Sequence, residues 1–137
     1  MLGYAGGGEK MEKVIVRTDG APAPIGPYSQ AVRLGNLVFV AGQGPVDPAT
    51  RKVTAGDIRE QTRQVLLNVK AILEAAGTSL DNVLKTTCYL RDMDDFAAFN
   101  EVYAEFFTAN PPARTTIQAA RLPLDIGVEI EVIAHVP

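Results

Sequence analysis

The sequence predicts an α+β fold: a mixed sheet with two helices laid over one of its faces. Three observations carry this. Apolar residues recur at helical spacing in two separate stretches, residues 58–76 and 96–107. Runs rich in β-branched residues flank both, in the order ββ(β)αβαββ and without internal repeats. The last of these runs, "VEIEVIAHV", alternates so that its two faces differ, as expected of a strand covered on one side.

The elements follow in chain order. "KVIVRT" is a short strand, and "QAVRLGNLVFVAG" reads as two strands joined at Gly35-Asn36, a pair that tolerates the positive φ of a tight hairpin. "DPATRK" is a turn. Ile58, Val65, Leu66, Val69, Ile72, Leu73 and Ala76 then mark an amphipathic helix of about five turns, stopped by Gly77. "NVLKTTCYL" is the next strand. Phe96, Phe99, Val102, Tyr103, Phe106 and Phe107 give a second helix one aromatic face, and Pro111 and Pro112 prevent its continuation. "RTTIQAARL" and "VEIEVIAHV" are the closing strands.

With 137 residues the chain is large enough for one core that buries on the order of two thirds of its unfolded surface. Residues 1–12, glycine-rich and without periodicity, read as a flexible N-terminal extension, and 13–137 as a single domain. Gly3, Gly6, Gly7 and Gly8 do not make a phosphate loop, because no strand precedes them. A net charge of −3 without a basic run argues against nucleic acid held by phosphate contacts. One cysteine, Cys88, and one histidine, His135, supply neither a disulfide nor a zinc cluster, so no metal is expected. No stretch has the ~18 apolar residues of a membrane span, and the start lacks a signal peptide's pattern. A cytoplasmic protein with no membrane partner is the expectation.

One residue resists the pattern. Arg114, always charged, enters a strand directly behind two prolines, so its guanidinium meets either solvent or a site that wants it. In the last strand Val128, Ile130, Val132 and Ala134 point one way, toward the helices, and Glu129, Glu131, Ile133 and His135 the other. A face that mixes apolar and ionisable groups, with no helix left to cover it, favours self-association. On the residues alone, Arg114 also suits a surface or intersubunit salt bridge with Glu129 or Glu131.

"APAPIGPYSQAV", "VFVAGQGPVDP", "NVKAILEAAG", "VLKTTCYLRDMDDFAAFNEVYAEFF", "PPARTTIQAARLP" and "VEIEVIA" together resemble the YjgF-type reactive intermediate deaminase A (RidA) family, collinearly from about residue 14 to the C-terminus. The resemblance implies a chorismate-mutase-like fold, a homotrimer with a central barrel, and ligand clefts at subunit interfaces. It implies hydrolysis of reactive 2-imino acids, the enamine/imine products of pyridoxal-phosphate dehydratases, to 2-oxo acids and ammonia, without cofactor. Other readings are a non-catalytic small-carboxylate sensor, a ribonuclease or translation inhibitor, which the acidic composition opposes, and a chorismate mutase, suggested by fold analogy alone.

The resemblance also implies site residues. Arg114 matches the family's carboxylate-binding arginine, whose planar fork can hold a carboxylate with two parallel hydrogen bonds. Glu129 matches a glutamate near the ligand that could position or deprotonate water, with Glu131 as its rival. Tyr28 lines the cleft against the substrate's alkyl tail, Gly42 permits close approach of ligand and backbone, and Asn100 lies near the site. Two positions depart from the pattern. Thr116, counted among the substrate-binding positions, stands where many members carry cysteine, and Ala41 where many carry serine. Cys88 reads as a buried apolar thiol, and His135 is a poor general base.

Overall fold

The computed structural model describes residues 11–137. Most of the expected N-terminal extension, with its four glycines, lies outside the described residues. The elements are β1 (Val14–Val16), β2 (Ala31–Leu34), β3 (Leu37–Gln43), α1 (Ile58–Ala75), β4 (Val83–Leu90), α2 (Phe96–Phe106), β5 (Ala113–Gln118) and β6 (Val128–His135). They form one six-stranded sheet in the order β1-β2-β3-β6-β4-β5. Every neighbouring pair is antiparallel except β4 and β5, which are parallel and joined through α2. The sheet is therefore mixed, as the sequence predicts.

Local chemistry explains the boundaries. Gly35, at φ +58°, takes the positive-φ place in the β2–β3 hairpin. The Asp57 side chain accepts from the backbone N–H of Arg59 at 3.0 Å and of Glu60 at 3.2 Å, capping α1. Gly77, at φ +89°, turns the chain out of α1, and Thr78 N–H returns to the Leu73 carbonyl at 2.9 Å. The "DPATRK" turn is closed by a Val46–Val53 bridge and by Arg51 N–H donating to the Asp47 carbonyl at 2.8 Å.

Both helices lie on one face. Val38 and Val40 from β3, Cys88 and Leu90 from β4, and Val128, Ile130, Val132 and Ala134 from β6 are buried with Val65, Leu66, Val69, Ile72 and Leu73 of α1. Phe99, Tyr103 and Phe107 extend this core along α2, with successive ring centroids 5.5 and 4.7 Å apart. Each such side chain contributes roughly 1.5–3 kcal/mol of burial, so α2 is held by its aromatic stripe. The opposite face has no helix over it. There Leu37, Phe39 and Ile117 stand exposed beside Glu129, Glu131 and Tyr89.

One element differs from the sequence reading. The strand expected over 114–122 ends at Gln118. β5 pairs with β4 alone, and β4 ends at Leu90, whose carbonyl takes the last ladder bond from Ala119 N–H at 2.9 Å. With no partner beyond, the chain turns at Pro123–Asp125 with Leu124 at φ +59° and Asp125 at φ +52°.

Candidate functional site

The register of β4 sorts the candidate residues into two groups. Arg114 pairs with Thr86 and Thr116 with Cys88, and both β4 residues are buried beneath the helices. Glu129 instead pairs with Tyr89, on the uncovered face. Paired residues share a face. Arg114 and Thr116 thus lie on the helix side at the sheet edge, and Glu129 lies on the other side of the same sheet.

The first group is built on β5 and α2. The Arg114 guanidinium lies over the Tyr103 ring, 4.7 Å from its centroid, with Phe96 at 5.4 Å and Phe99 at 5.7 Å. Its Nη1 donates to Asn100 Oδ1 at 2.8 Å. Asn100 and Arg114 are therefore together. One bond leaves most of the fork's five N–H donors for a ligand. Arg114 makes no salt bridge among the described residues, so a pairing with Glu129 or Glu131 of its own chain is not what the structure shows. Thr116 lies beside it with a buried hydroxyl that has no hydrogen-bond partner among the described residues. Cys88 is fully buried, and desolvation pushes its thiol up to about 11.

The second group lines an open cleft of about 610 Å³. Tyr28, Ala41, Gly42 and Glu129 meet there with Pro22, Ile25, Arg51, Leu124 and Ile126. Tyr28 is half exposed, with its hydroxyl accepting from Ile25 N–H at 3.3 Å. Between the pairs Val40↔Val132 and Gln43↔Ile130, β3 uses one residue more than β6, a bulge at Ala41–Gly42. The bulge brings the Gly42 backbone against Glu129 so closely that a β-carbon there would overlap the carboxylate.

The two carboxylates of β6 have different surroundings. Glu131 accepts from the Tyr89 hydroxyl at 2.6 Å, and this bond, with burial and the charges of Glu131 and Glu129, pushes the phenol up to about 12. Glu129 accepts no hydrogen bond among the described residues; burial first, then the charge of Glu131, raises its carboxyl above the ordinary value. A half-buried, unpaired carboxylate with a raised pKa, facing a cleft, suits proton transfer. Among the described residues no group of three or more His, Cys, Asp or Glu is placed to hold a metal ion, and no helix is long and apolar enough to cross a membrane.

The family model described as Endoribonuclease L-PSP matches residues 18–136. The chain belongs to this family, the RidA/YjgF group. A RutC family protein of Pyrococcus horikoshii is 58% identical over 123 residues, covering 90% of this chain and 98% of that protein. The 2-iminobutanoate/2-iminopropanoate deaminase of Escherichia coli K12 is 50% identical over 127 residues, covering 90% and 98%. Among solved structures, Escherichia coli TdcF with bound serine superposes with a TM-score of 0.86 at 48% identity, covering 89% of this chain and 98% of that one. RidA from an Antarctic Psychrobacter gives 0.86 at 45%, with the same coverage.

Sequence reading missed the two-sided distribution of these residues and the cleft's aliphatic wall. Leu124 and Ile126 follow a proline in a loop without periodicity, so nothing in their spacing marks them. The ring stack beneath Arg114 did carry a signal: the aromatic stripe of α2 immediately precedes the strand that holds the arginine.

Proposed function

We propose that this chain is a hydrolytic deaminase of small 2-imino acids, working in a site made from two copies of the chain in a homotrimer. The observation that supports this best is the separation of Arg114 and Glu129 onto opposite faces of one sheet. Each has unused capacity, the fork in its remaining donors and the carboxylate in both oxygens, and neither can serve the same small molecule from within one chain. The exposed apolar face beside Glu129 supplies surface for a second copy, whose Arg114 edge would close the cleft.

In this reading the Arg114 fork, held by Asn100 and its aromatic bed, binds the planar carboxylate of the imino acid. Tyr28 and the aliphatic wall take the alkyl tail. Glu129 orders a water and accepts its proton as the oxygen adds to the C=N carbon. The proton passes to nitrogen, giving a neutral carbinolamine. A second transfer from the carbinolamine hydroxyl to nitrogen, again through Glu129, breaks the C–N bond and forms the carbonyl as ammonia leaves. Chemistry of this kind calls for no metal or cofactor. The relative from Escherichia coli named as a 2-iminobutanoate/2-iminopropanoate deaminase supports the reaction class.

The family description names an endoribonuclease, yet the cleft is walled by prolines and aliphatic residues, with Tyr28 as its aromatic lining residue, and the chain is acidic. A strand of RNA calls for a basic groove with stacking platforms. TdcF with bound serine favours a small-carboxylate ligand in that relative and keeps a sensor role as the second reading. Ammonia release separates the two. The chain, added to a dehydratase that generates 2-iminobutanoate, should speed the appearance of 2-oxobutanoate and ammonia. Binding of 2-oxobutanoate without acceleration would leave the sensor.

A further inference from the structure

Arg51 is the cationic residue that lines the same cleft as Glu129, and imine hydrolysis by Arg114 and Glu129 leaves it without a task. It stands at the end of the "DPATRK" turn at φ +63°, a left-handed conformation that a side chain bearing a β-carbon adopts only at a cost and that glycine would take freely. Turn geometry therefore does not explain an arginine here. Its side chain makes no hydrogen bond or ion pair among the described residues, Glu129 included, although both residues line the cleft.

A second cavity, of about 210 Å³, adjoins the cleft and shares Arg51, Ala23 and Gln30 with it. Arg17 and Asp19 add one charge of each sign to its lining, so Arg51 leaves it net positive. Gln30 is buried with its amide fully engaged, the nitrogen donating to the carbonyls of Thr18, Ala21 and Pro22 and the oxygen accepting from Thr18 N–H. That bonding makes the shared wall rigid. The cleft thus runs from Glu129, along apolar walls, to an unpaired guanidinium at the junction with a positive recess.

Resting on the imine-hydrolysis reading, we propose that Arg51 forms a second carboxylate subsite, extending the substrates to imino acids with an acidic side chain. The α-carboxylate goes to the Arg114 fork of the neighbouring copy and the methylene chain lies along the aliphatic wall. The distal carboxylate meets Arg51 in a charge-assisted hydrogen bond that lysine reproduces only in part.

The test uses stable 2-oxo acids as probes and the intact protein. Arg51→Gly is a safe variant, because glycine relieves the left-handed backbone rather than straining it. Calorimetric titration should show about a tenfold or greater rise in the dissociation constant of 2-oxoglutarate in Arg51→Gly, with 2-oxobutanoate unchanged and Arg51→Lys intermediate. Decay of the imines of glutamate and of 2-aminobutanoate, generated by an amino-acid oxidase, should show the same selectivity in KM. Equal losses for both acids would overturn the subsite and assign Arg51 to the α-carboxylate. No change for either would remove it from the site. Either result, with the wild type still hydrolysing the 2-aminobutanoate imine, sinks this inference alone, whereas a wild type that neither binds 2-oxo acids nor hydrolyses imines overturns both readings.

Discussion

Gly42 and Glu129 touch across the β3–β6 pair at a bulge, and the contact leaves no room for a β-carbon between the backbone and the carboxylate. A glycine is therefore needed at this point for Glu129 to face the cleft, whatever its value to a ligand. Gly42→Ala should displace the carboxylate. The colliding atoms belong to the end of a flexible side chain, so the stability loss should stay within about 1–3 kcal/mol while imine hydrolysis falls far more. In a cycle with Glu129→Ala, denaturant unfolding should show coupling of about 0.5 kcal/mol or more, since removing the carboxylate makes room for the methyl. Additive losses would mean that the two residues do not meet.

Arg114→Ala should abolish imine hydrolysis and leave the chain folded, because the arginine stands on an edge strand and, among the described residues, its side chain gives up one hydrogen bond, to Asn100, and its contact with the α2 rings. The loss of a desolvated carboxylate partner is expected to weaken 2-oxo acid binding by about 2–5 kcal/mol. Arg114→Lys should rescue little, having neither the fork nor the flat face that lies on Tyr103. Near-normal ammonia release from the alanine variant would put the clamp elsewhere.

Light scattering is expected to show a stable homotrimer at micromolar concentration, and mixed trimers should then test the shared site. Arg114→Ala and Glu129→Gln subunits, each inactive alone, should regain about a quarter of wild-type activity when unfolded and refolded together in equal amounts, because a randomly drawn pair can unite one intact arginine with one intact glutamate. Were the site confined to one chain, every site would carry a lesion and nothing would return.

Glu129→Gln should keep 2-oxo acid binding and reduce turnover by roughly a factor of a hundred or more, since the amide cannot accept a proton from water. Glu131→Gln should lose less, its carboxylate being engaged by Tyr89. Turnover by the wild type should rise with pH through a value above that of an ordinary carboxylate, where Glu129 ionises. Stability should run the other way. A raised folded-state pKa means that the folded chain holds this proton more tightly than the unfolded one, so the contribution is full below the ordinary carboxylate value and is lost as pH rises through the raised one. Glu129→Gln should therefore gain melting temperature relative to wild type more at neutral pH than at pH 4.

Most of the fold is determined by local pattern. The alternation in residues 128–135 sorted the last strand's faces correctly, the period of Ile58 to Ala76 marked α1 to within a residue, and Gly35 and Gly77 punctuated the chain where positive φ occurs. These signals survive in one dimension because a helix or strand repeats its own geometry every few residues. Resemblance supplied candidate site residues, and the structure places Arg114 beside Asn100 and Gly42 against Glu129. Only the tertiary structure decided that these pairs sit on opposite faces of the sheet, that β5 stops at Gln118, and that Arg51, Leu124 and Ile126 share a cleft with Tyr28. Those facts depend on the register between strands distant in the chain and on loops without periodicity. A shift of one residue in pairing moves a side chain through the sheet while leaving every local pattern unchanged.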